Sequence, residues 1–223
     1  MIRVAIDGTA SAGKGSIAKG LAKKMGVAYI DTGSMYRALA LRLIQRSKSL
    51  NDIVAIKEEL NNFDFRFSWK EEQIRILLNG EDISSEIRTE EVGSGASLVS
   101  TQPVVRQKLS EIQKRIAQER SVVMDGRDIA TIIIPDAELK VFVDADILVR
   151  GRRRREELKA KGIVLSLEEV VRDLQERDHR DMNRAVAPLK KDPEARILDT
   201  TNLTIEDGIR TIERWVQEVL DKK

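Results

Sequence analysis

"IRVAIDGTASAGKGSIAKGL", Ile2 to Leu21, passes from an apolar run through a glycine-rich turn into a segment of helical period. "IRVAI" reads as a buried strand. From Ser16 to Met25 a helix is expected, with Ile17, Leu21 and Met25 on one face and Gly26 as its C-terminal cap. Strand, glycine loop and helix start form the context in which G-x-x-x-x-G-K-[ST] binds phosphate. Here Lys14 is followed by Gly15, and the hydroxyl arrives one residue late, at Ser16. The physics survives that shift. Gly8 and Gly13 let the backbone wrap closely, the N–H groups of Thr9, Ala10, Ser11, Ala12, Gly15 and Ser16 line an anion nest, and the helix adds its positive end. Lys14 supplies a full charge, so the span from Gly8 to Ser16 is read as holding the phosphates of a nucleoside triphosphate.

Further apolar runs, "VAYI" (Val27–Ile30), "SVVM" (Ser121–Met124), "LKVFV" (Leu139–Val143) and "RILD" (Arg196–Asp199), alternate with helical patterns at Met35–Arg46, Val104–Glu119 and Thr204–Leu220. The last of these begins at Thr204, with Asp207 three residues on as an imperfect capping box, aspartate standing where glutamate or glutamine is usual. Strands alternating with helices imply an α/β fold, a parallel sheet covered on both faces. "FDFRFSW" (Phe63–Trp69) breaks the rhythm by alternating apolar and polar residues; "KEEQ" turns, "IRILLNG" follows, and Asn79-Gly80 turns again. That is a small antiparallel β-ribbon inserted between residues 63 and 84.

At 223 residues, 41% hydrophobic and 34% charged, the chain suits a globular protein. No apolar run approaches the roughly 20 residues of a membrane span. The N-terminus lacks the pattern of a secretory signal, and there is no cysteine, so a cytoplasmic location is expected. Net charge is only +2, yet "RGRRRREELK" (Arg150–Lys159) and "RDLQERDHRDMNR" (Arg172–Arg184) concentrate arginine. Such runs are either solvated helix faces or a nucleic-acid patch; with aromatics at 4%, stacking on bases has little support.

The arginines bear on the acceptor. A hydroxyl acceptor calls for a carboxylate or histidine base, and the single histidine, His179, reads as a surface residue. A phosphate acceptor is already mostly dianionic and needs arginines to hold two polyanions together. Helical spacing puts Arg177, Arg180, Asp181 and Arg184 on one side, and Arg150, Arg153 and Arg154 roughly on another. Two arginines of the Arg150–Arg155 run are expected to grip phosphate, the rest being solvated or paired with Glu156 and Glu157. That segment reads as a closing lid.

"GKGS", "DTGSMYRALAL" (Asp31–Leu41), "MDGRDIAT" (Met124–Thr131) and "ERDHRDMNRAVAPL" (Glu176–Leu189), with the β-ribbon, resemble bacterial-type cytidylate kinases of the nucleoside monophosphate kinase family. The resemblance covers nearly the whole chain in one collinear order. It implies a P-loop kinase with a five-stranded parallel sheet, and phosphorylation of CMP or dCMP by ATP with Mg²⁺; UMP is the alternative acceptor. By matching position, Thr32, Tyr36 and Arg37 would border the acceptor, with Arg37 on its phosphate. Ser97, Arg106 and Asp128 resemble the cytosine-reading set, Arg127 and Arg184 phosphate clamps, and Arg177 with Asp181 the pair facing ribose. Asp125 would either organise Mg²⁺ waters or orient Arg127, and Ser16 would meet Mg²⁺ directly or through water. Lys14, Arg127, Arg177 and lid arginines such as Arg154 would stabilise the transferring charge.

The resemblance also implies one kinase domain over residues 1–223, with a monophosphate-binding region at 32–106 and an arginine-rich helical lid at 150–165. A monomer acting on small-molecule nucleotides is expected, with no nucleic-acid or membrane partner. Departures are modest. Thr9 and Ser11 stand where the family often has proline and glycine, Ser16 replaces threonine, and Thr32 replaces a frequent serine.

Overall fold

The computed structural model describes residues 1–70 and 73–221. In chain order the elements are β1 (Arg3–Gly8), α1 (Lys14–Met25), β2 (Ala28–Asp31), α2 (Gly33–Gln45), α3 (Ile53–Asn61), β3 (Phe65–Lys70), β4 (Gln73–Leu78) and β5 (Glu81–Asp82). They continue with α4 (Glu90–Val99), α5 (Pro103–Glu119), β6 (Val122–Gly126), β7 (Leu139–Asp144), α6 (Ile147–Ala160), α7 (Leu167–Asn183), β8 (Arg196–Asp199) and α8 (Ile205–Leu220). Two compact units result, one of Met1–Ile30 with Ile116–Lys223 and one of Asp31–Arg115.

In the first unit the expected five-stranded sheet forms, in the order β2-β6-β1-β7-β8. Strand β1 lies in the middle, paired in parallel with β6 (Ile6 opposite Asp125) and with β7 (Asp7 opposite Phe142). A central parallel strand is buried on both faces, which is why "IRVAI" is continuously apolar rather than alternating. Val4, Ile6, Val123, Val141 and Val143 of the sheet close on Ile17 and Leu21 of α1 and on Ile209, Ile212 and Val216 of α8. That core fixes the carboxyl end of β1, and with it everything the loop after Gly8 presents.

The expected capping box of α8 is present, Thr204 and Asp207 each accepting from the other's backbone N–H, and Gly26 ends α1 in the left-handed region at φ 64°. Between β6 and β7 a π-type turn spans Ile129–Ile133, with the Ile134 N–H bonded to the Ile129 carbonyl.

The second unit holds the β-ribbon as an antiparallel sheet in the order β3-β4-β5. Asn79 (φ 52°) and Gly80 (φ 85°) are both left-handed, the backbone that an Asn-Gly hairpin turn requires. Of the "KEEQ" turn, Glu71 and Glu72 lie outside the described residues. Phe63 stacks on Phe65 with ring centroids 5.9 Å apart, and Phe65 meets Phe67 edge to face at 5.0 Å. Two helices of this unit were not anticipated. Helix α3 starts at Asp52, whose carboxylate caps the N–H groups of Val54 and Ala55, and α4 starts at Thr89, which caps Val92. Among the described residues no helix is long and apolar enough to cross a membrane.

Candidate active site

The loop after β1 is forced by close approach. Gly8 sits at φ 151°, and a Cβ there would stand 1.9 Å from the Val143 carbonyl oxygen of β7, so only glycine fits. Ser11, where glycine is frequent in the resembling family, is left-handed at φ 58°. The first helical bond of α1 runs from the Ile17 N–H to the Gly13 carbonyl. By helix geometry the N–H groups just before Ile17 therefore lack partners inside the helix. Lys14 is buried, and its Nζ donates to the Thr9 carbonyl at 3.0 Å. Burial, reinforced by the positive charge of Arg127 and Arg177 and opposed by Asp125 and Asp181, pushes its ammonium down to about 7.

Around Lys14 the first unit gathers a charged cluster from separate elements. Arg127, just after β6, donates through Nε to Asp181 of α7 at 2.8 Å. Arg184 lies 3.5 Å from Asp181 and 3.6 Å from Asp128, and donates to the Ala187 carbonyl at 2.7 Å. Burial raises the Asp181 carboxyl, but Arg127, Arg177 and Arg184 outweigh it and hold the group below the usual range. Asp125 accepts from the Tyr29 hydroxyl at 2.9 Å. So Lys14, Asp125, Arg127, Asp128, Arg177, Asp181 and Arg184 are brought to one end of the sheet. One detail corrects the helical-face reading: α7 ends at Asn183, and Arg184 is its cap in extended backbone at ψ 145°. Arg184 reaches the cluster because the chain leaves the helix there. Arg180, expected on the same face, pairs with Glu176 at 4.0 Å.

The arginine-rich run also resolves residue by residue. Arg150 is buried against Asp178 at 2.5 Å, and Arg153 donates to the carbonyl and hydroxyl of Thr200. Arg154 pairs with Glu157 at 2.8 Å and Arg155 with Glu156 at 3.6 Å, the partners expected for arginines not on phosphate. Arg150, expected among the face directed to phosphate, is occupied inside the unit.

In the second unit, Thr32 precedes α2 and is buried. The Arg106 guanidinium lies 5.5 Å from the centre of the Tyr36 ring and donates to the Ser100 carbonyl at 3.2 Å. Buried Ser97 of α4 offers its carbonyl to the Ser100 hydroxyl. Arg37 forms an ion pair with Asp31 at 2.5 Å, and Arg88 reaches the same carboxylate at 3.3 Å. Burial raises the Asp31 carboxyl, and the two arginines more than reverse that.

Several polar residues around the loop were missed. Asp7, at the end of β1, is buried and accepts from the N–H groups of Ile129 and Ala130, both at 2.8 Å, bracing the turn that follows Arg127 and Asp128. Burial pushes its carboxyl up to about 7 in spite of these bonds. Asp144 accepts from the Thr9 hydroxyl at 2.7 Å, and the Ala12 carbonyl accepts from the Thr200 hydroxyl at 2.9 Å. The Ala10 N–H, expected to line the anion nest, donates instead to the Asp178 carboxylate at 3.1 Å, which corrects that part of the reading. The available signal was a carboxylate ending an otherwise apolar strand, as in "IDG" and "VFVD".

Comparison with known proteins converges on one family. The family model described as cytidylate kinase matches residues 4–218. A cytidylate kinase of Exiguobacterium sp. is 43% identical over 98% of this chain and 97% of its own length. One from Geobacter sp. is 44% identical over 97% of this chain and 93% of its own. Among solved structures, a gluconokinase from Sinorhizobium meliloti superposes with a TM-score of 0.51 at 11% identity, covering 99% of this chain and 94% of that one. A likeness at that identity speaks for the fold alone.

Proposed function

Because the chain belongs to the cytidylate kinase family, we propose that it transfers the γ-phosphoryl group of ATP to the phosphate of CMP or dCMP, giving ADP and CDP or dCDP. The observation that carries this reading is the composition of the cluster at Lys14. Three arginines, Arg127, Arg177 and Arg184, meet there with Asp125, Asp128 and Asp181, and the one histidine is exposed on α7. That inventory suits an acceptor that arrives as a dianion and needs charge neutralised rather than a proton removed.

In this reading Lys14 and the loop from Gly8 to Ser16 hold the β- and γ-phosphates, while Arg127 and Arg177 spread the charge of the group in flight. Arg37 and Arg184 take the acceptor phosphate, Asp181 with Arg177 faces ribose, and Thr32 and Tyr36 border the nucleotide. For the base, Asp128 accepts from the cytosine N4 amino group, and Arg106 and Ser97 donate to N3 and O2; uracil would turn O4 toward the carboxylate. The segment 150–165 is read as a lid anchored at Arg150, with Arg154 exchanging Glu157 for phosphate on closure.

Among the described residues no group of three acidic, histidine or cysteine side chains is placed to hold a metal. The oxygen donors near Lys14, the Ser16 hydroxyl and the Asp125 carboxylate, are of the hard kind that Mg²⁺ takes beside phosphate oxygens and water. Ser16, exposed in the first turn of α1, and Asp125, whose carboxylate lies 3.8 Å from where a Cβ on Gly15 would stand, would complete its shell. Mg²⁺ would there neutralise phosphate charge and orient the γ-phosphate. We also read the chain as a cytoplasmic monomer without a nucleic-acid partner. The absence of a nucleic-acid partner is supported by Arg150 and Arg153, which are held by Asp178 and Thr200 of other segments and so are taken from the run that would face a phosphate backbone.

The test is an ADP-release assay with ATP, Mg²⁺ and a panel of CMP, dCMP, UMP and AMP, run on the wild type and on Asp128→Ala. Turnover should be greatest with the cytidine nucleotides, and the preference for CMP over UMP should fall roughly tenfold or more in the variant, the worth of one discriminating contact. A preference for another acceptor would overturn the assignment, and an unchanged CMP-to-UMP ratio in the variant would remove Asp128 from base recognition.

A further inference from the structure

A glycine-rich phosphate loop has a cost built in. The freedom that lets its backbone wrap an anion must be lost on binding unless the rest of the protein has already removed it. In this chain the loop is held from outside at three successive points. Thr9 donates its hydroxyl to Asp144 at 2.7 Å, the Ala12 carbonyl accepts from Thr200, and the peptide groups of Ala10 are held from both sides. The Ala10 N–H donates to Asp178 Oδ1 at 3.1 Å, and the Ala10 carbonyl accepts from Arg150 Nη1 at 3.1 Å. Arg150 and Asp178 bind each other at 2.5 Å, and the Arg150 Nε also donates to the Ala145 carbonyl at 2.9 Å. Each of the two residues is only 7% exposed. The Ala10 methyl packs in the same place, in a small core with Leu158 of α6 and Val170 and Leu174 of α7.

We propose that Asp178 and Arg150 form a latch on Ala10 that holds the phosphate loop in its anion-binding shape, making Asp178 a positioning residue for the triphosphate; the proposal rests on reading this loop as the ATP site. Asp178 is the carboxylate of the "RDHRD" segment that acceptor binding does not use. One turn of α7 sends Asp181 to Arg127 and Arg184, and Asp178 to the loop. Electrostatics alone would disfavour a carboxylate so close to a polyanion site, and Arg150 neutralises it. Its presence follows from geometry instead: an Oδ is the acceptor that reaches an N–H facing away from the nest, and a buried charge-assisted bond of this kind is about twice as strong as a neutral one.

The charge logic gives the experiment a sign. Removing a negative charge near the ATP site would tighten binding if charge dominated, whereas loosening the loop would weaken it. ATP affinity is measured by titration calorimetry without acceptor for the wild type, Asp178→Asn, Asp178→Ala and Arg150→Lys, alongside hydrogen exchange of the peptide covering residues 8–16. The expected result is a rise in the ATP dissociation constant of roughly tenfold or more in Asp178→Ala, with smaller rises in Asp178→Asn and Arg150→Lys. Exchange at residues 8–16 should quicken while that of β7 and α8 stays as in the wild type, which a general loss of stability would not produce. If Asp178→Ala fails to fold, the two milder variants decide by the same sign. Unchanged or tighter ATP binding, or loosening spread evenly over the unit, would overturn the latch. A wild type that binds ATP but does not phosphorylate CMP would overturn only the acceptor assignment, and one that binds no ATP would overturn both readings.

Discussion

The lowered Lys14 ammonium makes ATP binding a proton-linked event, and its size can be worked out. In the free protein burial, with the positive charge of Arg127 and Arg177, pushes the group down to about 7. A bound triphosphate reverses that environment and should hold Lys14 fully charged to at least its ordinary value near 10.5. Since the folded free-state value is depressed and the bound-state value is not, binding takes up a proton above pH 7. Affinity is then proportional to the charged fraction of the free protein, about one half at pH 7 and about one hundredth at pH 9. ATP affinity should therefore fall by roughly one to two orders of magnitude between pH 7 and 9, on the order of 2 kcal/mol. Phosphate titrates near pH 6, below this window, so the nucleotide adds little to the slope. Calorimetry at pH 8 in buffers of different ionisation enthalpy should report the larger part of one proton taken up per ATP. The variant Lys14→Met should bind more weakly at pH 7 and show no uptake. Zero uptake by the wild type at pH 8, with a flat affinity profile, would refute the burial argument.

Two further predictions concern stability. Asp7 has its folded value raised from 3.8 to about 7, so the stability it contributes is complete below pH 4 and lost as pH rises through 7. Between pH 5 and 7.5 the loss should be about 2–3 kcal/mol. Asp7→Asn should abolish that slope, yet be less stable than the wild type at pH 5, because its amide N–H₂ would face the N–H of Ile129 or Ala130; equal slopes for both proteins in denaturant titrations would contradict this. Glu138 behaves oppositely. Burial raises it, but the Arg3 guanidinium and backbone N–H pull it down to about 2, so its contribution is present above pH 4.5 and lost as pH falls through 2. Allowing for solvent screening, Arg3→Ala should cost about 1–2 kcal/mol at pH 7 and much less near pH 2, and a difference that does not change with pH would count against the ion pair.

How much of this could be read from the chain depends on how local the cause is. The sheet was legible because a parallel strand buried on both faces must be an apolar run, and "IRVAI", "LKVFV" and "RILD" fall where β1, β7 and β8 form. The Asn79-Gly80 turn and the α8 capping box were legible because each is specified within four residues. Helix α3 escaped because nine residues give little more than two turns of period. The charged cluster was found by family motif; spacing alone would have misplaced Arg184 in a helix that stops one residue earlier.

Arg150 shows where pattern reading ends. A helical wheel groups it with Arg153 and Arg154, but a wheel describes a face and not what that face meets. Whether an arginine is solvated, grips a ligand or is spent inside depends on its nearest carboxylate, and that of Arg150 is 28 residues away on another helix. Desolvating a guanidinium is costly enough that burial happens only where such a partner and carbonyl acceptors converge. Ala145, Ala10 and Asp178 supply that convergence from three separate segments. The same long-range condition selects the loop-facing set as a whole: Asp144, Asp178 and Thr200 lie 135 to 188 residues from the loop atoms they hold. A phosphate-loop pattern can thus be recognised from its own sequence, whereas the residues that brace the loop, Asp144, Arg150, Asp178 and Thr200, lie outside its motif.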